Sequence, residues 1–153
     1  MDSFEKYYIA VVRLLTHRPR SEKELFDYLL KKKAPSDVSR AVIAKIQEQR
    51  FQNDLEFARW WVQSRTRYKA KSNLIIKMEL RQKGVSDEII QSALNEKTDD
   101  YKTDGQKAEI IAKKYLKRIL SLPKNDQYRR MSSYLSQKGF DYDTIRRVID
   151  DIL

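Results

Sequence analysis

Three stretches of this 153-residue chain follow one helical template, and this repetition limits the possible folds more than any other feature. The match is clearest between RQKGVSDEIIQSAL and SQKGFDYDTIRRVI, which align Gly84 with Gly139 and Leu80 with Leu135. An upstream stretch, LLKKKAPSDVSRAVI, fits the same template with Lys33 in the glycine position. A repeat of about 50 residues is typical of a tandem array, because one small unit cannot bury its apolar face without a neighbour.

Capping signals mark the helix boundaries within these units. Ser21, Asn53 and Ser86 each precede a stretch with helical spacing of apolar residues, and their side chains can cap the first turn. Gly84 and Gly139 can adopt the left-handed conformation that ends a helix. No useful length of the chain alternates between apolar and polar residues as a strand would. The sequence therefore predicts an all-α fold of three tandem three-helix repeats.

A polar stretch separates the second unit from the third. Residues 95–105 include Asp99, Asp100 and Asp104, and this composition is typical of a linker. We therefore predict unit 1 at residues 1–52, unit 2 at 53–98, the linker at 99–105 and unit 3 at 106–153.

The side chains needed for catalysis or metal binding are scarce. The chain has no cysteine and one histidine, His17, which excludes disulfides, thiolate chemistry, histidine-based catalytic pairs and Cys/His zinc sites. The glycine-rich motifs that bind phosphate are missing. The linker aspartates, like Asp150 and Asp151, lack the ligand spacing of a calcium loop. We expect no enzymatic activity, no cofactor and no metal.

Hydropathy gives no sign of a membrane segment. The longest apolar run, residues 7–12, is far shorter than the roughly 20 residues that a membrane-spanning helix needs. Asp2 and Glu5 disagree with the basic start of a signal peptide. We expect a cytoplasmic protein, and the absence of cysteine fits a reducing compartment.

Positive charge is concentrated in two parts of the chain, whose formal net charge is +10. Residues 59–83 contain eight basic residues and one glutamate, and residues 107–130 contain eight basic and two acidic residues. Such stretches suit a polyanionic partner, since spread positive charge attracts phosphates and acidic protein surfaces. Solvated helix faces would give the same composition, and charge alone leaves both interpretations open.

Two adjacent tryptophans in FARWWVQSRTRYKAK occupy different sides of the predicted helix. At about 100° per residue, Trp61 shares an arc with Phe57 and Val62 and is predicted to lie in the core. Trp60 falls on the opposite side, among polar and basic residues. It can pack against a neighbouring unit or stack on a base or guanidinium of a partner, and both alternatives stay open.

Four segments carry a family resemblance. They are SEKELFDYLLKK (21–32), FQNDLEFARWWVQSR (51–65), IKMELRQKGVSDEII (76–90) and YLSQKGFDYDTIRRVI (134–149). In order and in residue pattern they resemble the motifs of the RecX family, the bacterial regulators of RecA, over nearly the whole chain. Lys33 and Arg50 stand where the family usually has glycine, and Ser72 replaces a glycine ahead of the central helix.

The resemblance implies an architecture and a function. The three repeats would form an elongated, curved rod that binds within the groove of the RecA filament on single-stranded DNA. It would modulate strand exchange, ATP hydrolysis and repressor co-cleavage without being an enzyme. RecA and its filament are the expected partners, DNA itself is a further candidate, and the protein is expected to be a monomer. The alternative is a stand-alone helical repeat that binds DNA or RNA; a third class, an enzyme using the aspartates, lacks a catalytic set.

Basic residues that recur in equivalent helices of successive repeats would form one continuous surface. Arginine suits such a surface best, because its planar fork pairs with carboxylate or phosphate through two hydrogen bonds. We call this set the predicted basic surface and expect it to contact the filament or nucleic acid. Its residues are Trp60, Arg67, Lys69, Lys71, Lys77 and Arg81 in unit 2, and Lys113, Lys117, Arg129, Arg130, Arg146 and Arg147 in unit 3.

Overall fold

The computed structural model describes residues 2–97 and 101–153, and all regular secondary structure in these two ranges is α-helical. The predicted all-α fold of three three-helix repeats is confirmed. Two of the linker aspartates, Asp99 and Asp100, lie outside the described residues. The helices are α1 (Ser3–His17), α2 (Glu22–Lys31), α3 (Ser36–Glu48), α4 (Asp54–Lys69), α5 (Asn73–Gln82), α6 (Asp87–Asn95), α7 (Asp104–Ile119), α8 (Lys124–Gln137) and α9 (Tyr142–Ile152).

Each group of three consecutive helices forms one repeat. In the first repeat, Leu25 and Leu29 of α2 are fully buried in a core shared with α1 and α3. In the third, Met131 and Leu135 of α8 are fully buried against α7 and α9. These are the positions that the repeat template marks as apolar, so burial of one stripe of each helix drives the packing.

The packing does not divide the chain at the repeat boundaries. Residues up to Trp61 form one compact unit with Glu79–Asn95, and Val62–Met78 form a second unit with the described residues after Asn95. Helices α4 and α5 of the middle repeat therefore contribute to both units. The predicted limits of the repeats and linker stay predictions, with α4 beginning at Asp54 and α7 at Asp104.

The helix caps predicted at Ser21, Asn53 and Ser86 are confirmed. Ser21 caps α2 in a complete capping box, in which its hydroxyl accepts from the amide of Glu24 and the Glu24 side chain accepts from the amide of Ser21. Asn53 Oδ1 accepts from two amides of the first turn of α4, and Ser86 Oγ accepts from the amide of Ile89 at the start of α6. These caps satisfy amides that a helix cannot pair internally.

The three turns between second and third helices share one backbone conformation. Gly84 and Gly139 have φ of +78° and +91°, as predicted, and Lys33 has φ of +63°. Arg50, the other residue in a family glycine position, also has φ of +63°. The first repeat therefore keeps the turn of the other two, although a lysine pays the steric penalty of the left-handed region.

Candidate functional site

Trp61 lies in the core of α4, as its position on the helix predicts. It is 7% exposed, and its ring centroid lies 5.7 Å from that of Phe57. Its indole nitrogen lies 3.4 Å from Glu79 Oε1, and Lys83 Nζ lies 5.5 Å from its ring centroid. The ring is therefore part of the protein interior.

Trp60 is half-buried, and a residue of the first repeat lies over its ring. The guanidinium carbon of Arg18 lies 5.7 Å from its ring centroid, and Trp61 meets it edge-on at 6.0 Å. Arg18 is itself held by an ion pair with Glu24. This cation–π arrangement favours the packing interpretation of Trp60, and contact with a partner stays a prediction.

Glu24 is the centre of a cluster that ties the first repeat to the second. Its carboxylate pairs with Arg18 and lies 3.4 Å from Lys83 Nζ, while Ser21 Oγ donates to the carbonyl of Lys83 at 2.7 Å. Burial by itself would raise the pKa of Glu24. The hydrogen bonds from Arg18 and the Ser21 amide, with the charges of Arg18 and Lys83, outweigh burial and lower this pKa. The cluster is thus most stable with Glu24 ionised.

Lys107 has the corresponding place between the second and third repeats. Its side chain is 1% exposed, and its Nζ donates to Asn73 Oδ1 at 2.9 Å and lies 3.9 Å from Asp104 Oδ1. Burial lowers the pKa of Lys107, and the charge of Lys102 adds to this, against the opposing charge of Asp104. The second basic stretch of the sequence therefore includes a lysine that takes no part in the surface.

The two contacts between repeats are built in the same way. In each, an aspartate at the start of one repeat's first helix caps the second helix of the repeat before it. Asp54 Oδ1 accepts from the amide of Glu22 at 2.9 Å, and Asp104 Oδ1 accepts from the amide of Asn73 at 3.0 Å. We call these the first and second repeat joints.

A glycine turn completes each repeat joint. A Cβ added at Gly84 would lie 2.7 Å from Lys23 Cβ, and a Cβ added at Gly139 would lie 2.5 Å from Ile75 Cγ1 and 2.6 Å from Ser72 Oγ. Glycine is therefore needed at these positions for two reasons: the backbone has positive φ, and side chains of the preceding repeat lie too close for a Cβ. This close approach was not predicted from the sequence, in which the recurrence of serine and glycine is its signal.

Several members of the predicted basic surface pair with a nearby acid. Arg81 Nε lies 2.8 Å from Asp87 Oδ1 across the turn between α5 and α6. Exposed pairs such as these contribute little to stability, but they reduce the charge offered to a partner. The other three pairs are Lys113–Glu109, Arg129–Asp126 and Arg146–Asp150, with N–O distances of 2.9, 2.5 and 4.0 Å.

The other basic members of the predicted basic surface fall into two groups. The first group has contacts within the protein. Arg147 donates to the carbonyl of Asp143 at 3.4 Å, Arg67 lies 5.9 Å from the Tyr68 ring centroid, and Lys71 is half-buried. The remaining four form no ion pair with any residue in 2–97 or 101–153. They are the exposed Lys69, Lys117 and Arg130 and the half-buried Lys77. That all these residues share one face stays a prediction.

Metal-binding and membrane-spanning features are absent from the residues that the structure describes. Within 2–97 and 101–153, no three histidine, aspartate or glutamate side chains come together in a group that could hold a metal ion. No helix in the same ranges has the length and apolar character needed to cross a bilayer.

Family models cover most of the chain. The model for the first three-helix domain of RecX matches residues 8–45, that for the second matches 53–94, and that for the third matches 104–149. Their order and number agree with the three repeats of the fold.

Individual relatives carry the same family name. The chain is 37% identical over 134 residues to "Regulatory protein RecX" of Mycolicibacterium smegmatis, covering 85% of this chain and 70% of the relative. It is 32% identical over 154 residues to that of Oceanobacillus iheyensis, covering 99% of this chain and 55% of the relative. It likewise spans 56% of the Bacillus pumilus relative, at 29% identity and 98% of its own length. The chain is thus little more than half as long as several relatives.

A solved structure shares the fold. The crystal structure of RecX from Lactobacillus salivarius superposes with a TM-score of 0.82 at 27% identity, covering 99% of this chain and 97% of that one. Three matched domains in order, relatives above 30% identity and this superposition lead to one conclusion. The chain belongs to the RecX family of regulatory proteins.

Proposed function

We propose that this protein binds a RecA filament on single-stranded DNA and modulates its activity, without catalysis of its own. The observation that carries the proposal is the charge on the second and third repeats. Lys69, Lys77, Lys117 and Arg130 have no acidic partner within the described residues, and three of the four are exposed. Unpaired cations attract a polyanion, and a nucleoprotein filament presents both phosphates and acidic side chains.

Family membership supports the regulatory part of the proposal, since the relatives are named regulatory proteins. RecA as the target follows from the family resemblance in the sequence, and the cytoplasm as the location stays the expectation drawn from hydropathy and cysteine content. The bare strand is the competing target, because the same cations would also bind free DNA or RNA through phosphates alone.

A binding comparison tests the proposal. Fluorescence anisotropy would follow the protein on a labelled oligothymidylate, with the strand either bare or coated with RecA and a non-hydrolysed ATP analogue. We expect tighter binding to the coated strand and a weaker salt dependence there. Equal affinities that fall together with salt would assign the binding energy to phosphates and leave a stand-alone nucleic-acid-binding protein.

A matched pair of variants locates the interface. Lys117→Glu with Arg130→Glu should abolish the effect of the protein on RecA ATP hydrolysis. Arg13→Glu with Arg40→Glu makes the same change in net charge at exposed positions of the first repeat and should regulate normally. Equal losses in both variants would mean that net charge, and no particular surface, drives binding.

A further inference from the structure

The third repeat contains a cleft between α7 and α8, and two arginines of the predicted basic surface line it. It has a volume of about 350 Å³ and opens to solvent. Its lining residues are Tyr115 from α7 and Arg129, Arg130, Ser133, Tyr134 and Gln137 from α8.

Hydrogen-bond donors dominate this cleft. Two guanidinium groups, two phenols, a hydroxyl and an amide line it, and no carboxylate does. Asp126 pairs with Arg129, whereas Arg130 forms no ion pair with any described residue. The cleft therefore carries a net positive charge and a set of donors, which is the chemistry of an anion site.

The two tyrosines form a rigid wall of the cleft. Their rings are stacked, with centroids 4.1 Å apart and planes 5° from parallel. Lys138 Nζ lies 5.3 Å from the Tyr134 centroid and adds a third nearby cation. Within the described residues neither phenol hydroxyl has a hydrogen-bond partner. Both hydroxyls are thus fixed in place by the stack and available as donors.

The donors of the cleft, which come from two helices, favour phosphate over carboxylate. A carboxylate presents two oxygens in one plane, which a single arginine fork can satisfy. A phosphodiester group is tetrahedral, with acceptors in several directions, and suits donors that come from two helices. Stacking of a base on Tyr134 is disfavoured, because Tyr115 already covers one face of that ring.

We propose that this cleft binds a backbone phosphate of a single nucleic-acid strand, with Arg130 supplying the charge and Tyr115 and Tyr134 supplying neutral hydrogen bonds. The proposal rests on the proposed function in one respect: it takes the bound strand to be the single-stranded DNA inside the RecA filament. Phosphate binding in the cleft is a property of the third repeat and can be measured without RecA.

Three variants of the full chain separate the parts of the site, each assayed by anisotropy on a labelled oligothymidylate over a range of salt. Arg130→Gln should weaken binding about tenfold and reduce the slope of log affinity against log salt by about 0.7, the value for one phosphate contact on a single strand. Tyr115→Phe with Tyr134→Phe keeps the stacked rings, and should weaken binding about three- to tenfold with the slope unchanged. Arg40→Gln removes a charge from the first repeat and should change neither quantity.

The outcomes distinguish failure of this site from failure of the proposed function. Unchanged affinity and slope in Arg130→Gln would overturn the phosphate site, while tight binding of the wild-type protein to the RecA-coated strand would keep the proposed function. If Arg130→Gln loses affinity for the RecA-coated strand alone, the bound anion is an acidic side chain of RecA. That result would also overturn the phosphate site. If the expected losses occur but the wild-type protein binds coated and bare strands equally, the phosphate site stands and the proposed function fails. Retained melting temperatures in all variants would exclude misfolding as the cause.

Discussion

Replacing Gly139 with alanine should destabilise the protein by roughly 3 kcal/mol, because the substitution strains the second repeat joint in two ways. The residue has φ of +91°, where an L-residue is disfavoured by about 1–2 kcal/mol. The new Cβ would also lie 2.5 Å from Ile75 Cγ1 and 2.6 Å from Ser72 Oγ. Relieving such an overpacked contact costs about 1–3 kcal/mol, and the lower entropy of the unfolded alanine chain offsets about 0.5–1 kcal/mol.

Alanine substitutions at the equivalent turns of the other two repeats provide matched controls. Gly84→Ala meets Lys23 Cβ at 2.7 Å with φ of +78° and should be nearly as destabilising. Lys33→Ala changes an exposed side chain at φ of +63° and should stay within about 0.5 kcal/mol of the wild type.

Urea unfolding followed by circular dichroism gives the free energy of unfolding of each of the three variants. The values are compared where the dependence of that free energy on urea concentration is the same. A loss below about 1 kcal/mol in both glycine variants would refute the reasoning, since it would mean that the joints yield to a methyl group without strain.

Three further predictions concern buried side chains. Trp61→Ala should cost roughly 3–5 kcal/mol in urea unfolding and Trp60→Ala much less, and equal losses would contradict their different burial. Lys107, with its pKa lowered from 10.5, is less readily protonated in the folded state, so the folded protein should gain stability as pH rises towards 10.5. Lys107→Met should remove this gain, and parallel pH profiles of the two proteins would disprove the assignment. Glu24 has its pKa lowered from 4.5, so its contribution is complete above that pH and is lost as pH falls through the folded-state value. In Glu24→Gln the stability should depend less on pH over this acidic range, and an unaltered acid profile would exclude Glu24 from the stabilising cluster.

The elements that sequence analysis predicted correctly are those specified by nearby residues. Ser21 and Asn53 cap helices because their partners lie two or three residues away, and Gly139 adopts positive φ because of its own turn. Trp61 could be assigned to the core because its helical neighbours at one-turn spacing are apolar. In each of these cases the residues within one helical turn were enough to predict the structure, and together they predict the fold class.

The features that escaped prediction depend on partners far along the chain. Lys107 counted among the eight basic residues of the second basic stretch, yet its Nζ donates to Asn73 Oδ1 in the preceding repeat. Nothing within one helical turn of Lys107 identifies Asn73 as its partner. The cleft beside Arg130 likewise combines residues of two helices, and Tyr115 of α7 stacks on Tyr134 of α8 in its lining.

The repeat joints give each repeat a fixed place in the order of the chain. A joint needs a serine-started second helix on one side and a glycine turn on the other, and Ser72 and Gly84 give the middle repeat both parts. The first repeat has Lys33 in place of the glycine, and the second helix of the third repeat follows Pro123, which makes no side-chain cap. Repeats placed in another order would therefore lack the serine or the glycine at some of their joints. Duplication of the middle repeat, by contrast, would present a serine and a glycine at every new junction, so an array lengthened in this way should fold.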